Sequence, residues 1–112
     1  MPEALCGGGK CIDLLGAATT ANAVSSLICV QGFRTFGLQV VLSGSPTAVV
    51  KILGSNDGVT LTATELGKWD SGSQSAGDII WVVDKPVQFI ELKLTTFSGG
   101  TAPTAKAYLS GV

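Results

Sequence analysis

The sequence predicts an all-β protein: an antiparallel β-sandwich, jelly-roll-like, of seven to eight short strands with a flexible N-terminal arm. Three observations carry that expectation. Apolar and polar residues alternate with a period of two in Phe36–Ser43 and again in Gln88–Thr96, the pattern of a strand with one face buried. Turn-forming residues gather at nearly regular intervals, in Gly44-Ser45-Pro46, Gly54–Gly58, Asp84-Lys85-Pro86 and Ser98-Gly99-Gly100. The stretch Ala48–Trp69 carries apolar residues on both sides of one such cluster, more than an isolated hairpin can bury, so other strands must cover it.

Taken in order, residues 1–10 contain Gly7-Gly8-Gly9 and no apolar period, and read as an arm for contact with a neighbour, outside a single domain spanning 11–112. Gly9-Lys10 is not a phosphate loop: the Walker spacing needs glycine where Ala4 stands and serine or threonine where Cys11 stands. Cys11–Ala18 and Ala23–Gln31 read as two strands joined by small residues. A helix over Ala17–Leu27 is disfavoured by Thr19, Thr20, Val24, Ser25 and Ser26. In Phe36–Ser43, Phe36, Leu38, Val40 and Leu42 share one face, and Pro46 ends the strand because it cannot donate to a ladder.

The central hairpin is expected to have the arms Ala48–Leu53 and Val59–Leu66. Its turn is Gly54, Ser55, Asn56, Asp57 and Gly58, residues that accept left-handed or bridge conformations at low cost. Asp70–Asp78 is a polar loop, and Ile79–Val83 is a short apolar strand carrying Trp81. In Gln88–Thr96, Ile90, Leu92 and Leu94 oppose Phe89, Glu91, Lys93 and Thr95. In the last strand, Ala105, Ala107 and Leu109 point inward from Thr104, Lys106, Tyr108 and Ser110.

Composition narrows the function. Charged residues are 13% of the 112, about half the share usual in soluble domains, and the formal net charge is -1, so uncharged residues cover much of the exterior. That suits a subunit whose faces are covered by copies of itself or by other proteins. The seven cations are scattered singly along the sequence, with no run that would track phosphates, so no nucleic-acid partner is expected. No apolar run approaches the roughly 20 residues that span a bilayer, and Glu3 stands where a secretory signal would be basic, so folding in the cytoplasm without a membrane partner is expected. Cys6, Cys11 and Cys29 are an odd set, read as thiols rather than a disulfide framework. Three cysteines without histidine fall short of a closed four-ligand zinc site, so no metal or other cofactor is expected.

The segments FGLQVVLSGSPTAVVKILGSNDGVTLTATELG and PVQFIELKLTTFSGGTAPTAKAYLSG resemble small virion structural proteins of tailed bacteriophages. The likeness rests on a strand ending in a Gly-Ser-x-Asp-Gly turn, here Gly54–Gly58. A later Phe-Ile-x-Leu-x-Leu-Thr strand, Phe89–Thr95, then leads through Ser-Gly-Gly into an Ala/Leu strand. It covers about Phe33–Val112 and implies a β-sandwich subunit of a phage particle, a capsid decoration protein or a head, neck or tail component, with no catalytic residue to transfer. The expected role is capsid decoration, through contacts with itself and with other virion proteins such as the major capsid protein, in a virion assembled in the host cytoplasm.

Catalytic chemistry finds little footing. Without histidine there is no Ser-His-Asp or Cys-His apparatus, and the carboxylates Asp57, Glu65, Asp70, Asp78, Asp84 and Glu91 fall in turns or on outward strand faces. The protein is therefore expected not to be an enzyme. The competing function is a surface-glycan contact. Trp69, Trp81 and Tyr108 would supply a stacking platform, with Asp70, Asp78 or Gln74 supplying hydrogen bonds.

Overall fold

The computed structural model of the chain describes residues 3–4 and 18–112. Among the described residues there are eight strands and no helix: β1 (Glu3–Ala4), β2 (Ile28–Cys29), β3 (Phe36–Ser43), β4 (Thr47–Ser55), β5 (Gly67–Asp70), β6 (Ile79–Val82), β7 (Phe89–Ser98) and β8 (Thr104–Gly111). They make a two-sheet β-sandwich, one sheet in the order β1-β2-β7-β4-β5 and the other β6-β3-β8. All neighbours are antiparallel except β1 and β2. The predicted arm over residues 1–10 and the predicted strand Cys11–Ala18 lie outside the described residues, apart from Glu3–Ala4 and Ala18.

Four of the pairings are nested. β4 meets β5, β3 meets β6, β2 meets β7, and Ala18 bridges Ala105 of β8, its C=O accepting from Ala105 N–H at 2.8 Å. The chain is thus doubled back on itself about the 56–66 loop, and β4–β7 and β3–β8 pairings then knit the halves together.

The alternating patterns become the two inner faces. Phe36, Leu38, Val40, Ala105, Ala107, Leu109 and Val82 of one sheet are buried against Ile28, Val50, Ile52, Trp69, Ile90, Leu92 and Leu94 of the other. Each large side chain so buried contributes about 1.5–3 kcal/mol. β3 spans the residues that its alternation predicts, and β8 turns the faces inward and outward that its sequence predicts.

Three elements differ from expectation. The hairpin forms, but its second arm is β5, not Val59–Leu66, and Val59 is 84% exposed instead of packed. The reason is local: Asp57 Oδ1 accepts from the N–H groups of Val59 and Thr60, while Thr62 bonds Gly54 through both its N–H and its hydroxyl. These donors are held in a wide loop and cannot ladder until Leu66 N–H reaches Ile52 C=O.

Ala23–Gln31 does run beside β7, yet only Ile28–Cys29 is regular strand. Between the Val24–Lys93 bridge and the Ile28–Ile90 pair this segment holds an extra residue, and the Ser25 hydroxyl takes the place of a backbone acceptor for Leu92 N–H at 2.9 Å. β7 itself continues past Thr96. Thr95 is the extra residue of a bulge where the partners shift from Val50–Leu94 to Val49–Thr96, which turns Phe97 toward the core side.

Candidate functional site

The outer face of the β6-β3-β8 sheet brings together Trp81, Ile79 and Val41 among the exposed large apolar side chains, while Val24 and Val59 lie elsewhere. Its cross-strand rows are Trp81–Gly37–Ser110 and Ile79–Gln39–Tyr108, followed by Val41–Lys106 and Ser43–Thr104. Trp81 is 60% exposed, Ile79 49% and Val41 38%, and Val83, just past β6, is 63% exposed. Lys106 is the one charged side chain that these strands put on the face.

Gly37 is what lets Trp81 lie down. A Cβ at Gly37 would stand 2.7 Å from Trp81 Cζ3 and 3.0 Å from both Trp81 Cη2 and Ser110 Oγ, so the indole occupies the furrow the glycine leaves. Polar groups frame it: Gln39 Nε2 donates to Gly77 C=O at 2.9 Å, and the Ser43 and Thr104 hydroxyls meet at 3.0 Å. Beyond the end of β6, Arg34 Nε donates to Asp84 Oδ1 at 2.9 Å.

The predicted glycan constellation separates into parts. Trp81 and the half-buried Tyr108 share the face just described, in adjacent rows. Trp69 does not join them: it is fully buried on the inner face of β5, its indole N–H donating to Asp78 C=O at 3.0 Å. Alternation around Lys68 places it there, because Gly67 and Trp69 face inward, and a Cβ at Gly67 would strike Val82. The carboxylates close turns. Asp70 accepts from Gly72 N–H, Asp78 accepts from Ser75 N–H, and Gln74 Oε1 accepts from Asp70 N–H. The 70–78 loop that they shape borders an open depression of about 420 Å³ lined by Ser45, Ser71, Gln74 and Ser75 among others.

The predicted turn is a well-tied structure. Asp57 Oδ1 accepts from Thr60 and Val59 N–H at 2.7 and 2.8 Å and from the Ser55 hydroxyl at 2.9 Å. These bonds hold its carboxyl well below the usual carboxylate range, Thr60 N–H contributing most. Asn56 Oδ1 accepts from Gln88 N–H and so pins the turn to the approach to β7. Of Asn56, Asp57 and Gly58, only Gly58 has a positive φ, 77°. Gly54 is needed for closeness: a Cβ there would stand 2.9 Å from Leu66 Cδ1. The Asp57 and Asn56 bonds make the turn a folding device.

The opposite surface of the sandwich holds a feature that linear sequence hides. On the outer face of the five-stranded sheet Lys68, Lys51 and Lys93 stand in register on three adjacent strands. Cations scattered in the chain are thereby lined up across the sheet. Cross-strand parity could have found them once the β4–β5 and β4–β7 registers were known. Cys29 is a half-buried free thiol, and Cys6 and Cys11 lie outside the described residues.

Compared with known proteins, the chain matches no family model and no curated protein sequence. Its fold is similar to that of a solved structure, the SPBc2 prophage-derived protein YomS, with a TM-score of 0.64 over 92% of each chain at 11% sequence identity.

Proposed function

We propose that this chain is a non-enzymatic structural subunit of a bacteriophage virion, a capsid decoration protein that works through contacts with itself and with other virion proteins such as the major capsid protein. The observation that carries the reading is the outer face of β6-β3-β8, where Trp81, Ile79 and Val41 lie open on a surface with a single lysine. Exposed apolar surface rimmed by polar groups marks an interaction site, and we read it as a protein contact. The shared fold with a prophage-derived protein supports a phage setting.

We read the nested pairing, with Ala18 standing where a full outer strand would meet β8, as a jelly roll. That wrapped form serves in viral capsid and lectin domains alike. In this reading the protein is made in the host cytoplasm, resides in the virion and requires no cofactor, nucleic acid or membrane. Many weak copies of one contact then add up to a strong shell.

One observation favours a second reading. Trp81 lies across Gly37 beside Ser110, near Tyr108 and Gln39, an open ring with hydroxyl and amide neighbours of the kind that binds a sugar face. Co-sedimentation with capsids built from the major capsid protein of the same genome separates the two. Binding that falls when Trp81→Ala and Ile79→Ser are introduced supports the decoration role. A chain that ignores capsids but shows a saturable emission change with polysaccharides is a glycan-binding module instead.

A further inference from the structure

The edge of the smaller sheet carries information beyond its face. Thr35 and Val112 exchange both backbone hydrogen bonds, Thr35 N–H to Val112 C=O at 3.1 Å and the reverse at 3.0 Å. In an antiparallel sheet each residue sends its N–H and C=O to the same side, and successive residues alternate. With no register shift along β3, its odd-numbered residues therefore bond β8 and its even-numbered ones bond β6. On β6 the bonded partners are Ile80 and Val82, which leaves the N–H and C=O of Ile79 and Trp81 directed away from the sheet. Among the described residues, no backbone or side-chain hydrogen bond from elsewhere in the chain reaches them.

Such an edge is normally blunted by charge, proline or a bulge. β5, an edge of the other sheet, carries Lys68 and Asp70, and β8 is met by Ala18. β6 has no such guard: Ile79-Ile80-Trp81-Val82-Val83 is an uninterrupted β-favouring apolar run, and the same odd-numbered residues that aim their backbone outward also expose their side chains. Its two ends are unlike. Exposed Asp78 stands at the start, while Arg34, Asp84 and Lys85 cluster past the end, two cations against one anion.

We propose that β6 pairs with β6 of a second copy of this chain, antiparallel about a two-fold axis at Trp81. In that register Trp81 opposes Trp81 of the second copy and Ile79 opposes Val83, each pair exchanging backbone hydrogen bonds with its side chains on the same outer face. Asp78 then falls opposite Asp84 of the second copy, whose carboxylate is already paired with Arg34, and Arg34 with Lys85 leaves that end net cationic beside the anionic start. Like-directed pairing would stack equal charges and offers no such match. The three-stranded sheets merge into one, and the apolar faces around Trp81 become continuous. The proposal deepens the structural-subunit reading, resting on it for the expectation of self-association, and names the contact.

The test is sedimentation of the full chain in reductant, which removes interchain disulfides. The expected result is twice the monomer mass. Ile79→Lys with Val83→Lys sets lysines opposite lysines at both flanks and should give monomers, whereas Ile79→Glu with Val83→Lys should restore the dimer. All these positions are surface-exposed, and buried Trp69 emission reports whether the fold survives. Independently of any variant, amide exchange at Ile79 and Trp81 should slow about tenfold or more as concentration rises through the dimer range. A monomeric wild type, a double-lysine variant that still dimerises, a charge-swapped variant that stays monomeric, or exchange at Trp81 indifferent to concentration each overturns the proposal. A monomer that still binds capsids overturns this dimer alone, and a dimer that ignores capsids overturns the virion role alone.

Discussion

Gly37 and Trp81 are cross-strand partners in which one residue supplies the space the other fills. Introducing Gly37→Val sets a branched carbon where Trp81 Cζ3 now lies, and because the indole is the free end of an exposed side chain it can swing away. The expected outcome is a change in Trp81 emission and quenching by acrylamide with stability altered by only about 0.5 kcal/mol. The contrasting substitution, Trp69→Ala, removes a buried side chain and should cost about 3–5 kcal/mol in chemical denaturation. Equal effects of the two would contradict the placement of Trp69 in the core and of Trp81 on the outer face of the smaller sheet.

Ser25 is buried, donates its hydroxyl proton to Ser26 C=O and accepts from Leu92 N–H. Ser25→Ala leaves that amide without a partner in the interior, so unfolding free energy should fall by about 1–3 kcal/mol. The amide of Leu92 should lose hydrogen-exchange protection before its neighbours in β7. Unchanged protection would show that the hydroxyl is not its acceptor.

The lysine row gives an effect of opposite sign. Lys51 lies directly between Lys68 and Lys93, and like charges so placed repel. Lys51→Thr keeps a strand-favouring residue and should raise stability by about 0.2–1 kcal/mol at low salt. The gain should shrink as added salt screens the wild-type repulsion. A loss of stability at low salt would mean that a partner other than solvent stabilises the row.

Asp57 links stability to acid. Its carboxyl is held below the usual range in the folded chain by Thr60 and Val59 N–H and the Ser55 hydroxyl, so the unfolded chain takes up its proton first as pH falls. The stability it contributes is fully present above the unfolded value of about 4 and drains away below it. Urea midpoints measured against pH should therefore drop less steeply in that acid range for Asp57→Ala than for the wild type. Parallel curves would remove Asp57 from the acid response.

Much of the sandwich was legible because burial on one face writes itself as alternation. Phe36–Ser43 and Thr104–Gly111 needed only parity. Elements failed where side chains compete with the ladder. Asp57 holds the N–H groups of Val59 and Thr60, Thr62 is tied to Gly54, and the Ser25 hydroxyl interrupts the ladder between Ala23–Gln31 and β7, none of which periodicity can register. The site was half legible: Trp81 and Tyr108 do share a surface, while Trp69 belongs to the core because parity around Lys68 turns it inward. The lysine row and the open β6 edge are products of register between distant strands, which no single segment encodes.

The doubled-back order of the chain also fixes an itinerary. Closing a loop costs entropy that grows with its length, so β8 could meet Ala18 first only by looping almost the whole described chain. Once β4 and β5 have met, β3 and β6 are already neighbours, then β2 and β7, each closure shortening the next. Assembly of the sandwich runs like a zip from its middle outward, slow in the manner of folds built on distant partners. On this itinerary the Ala18–Ala105 bridge is expected to be the last tooth to engage and the first to release.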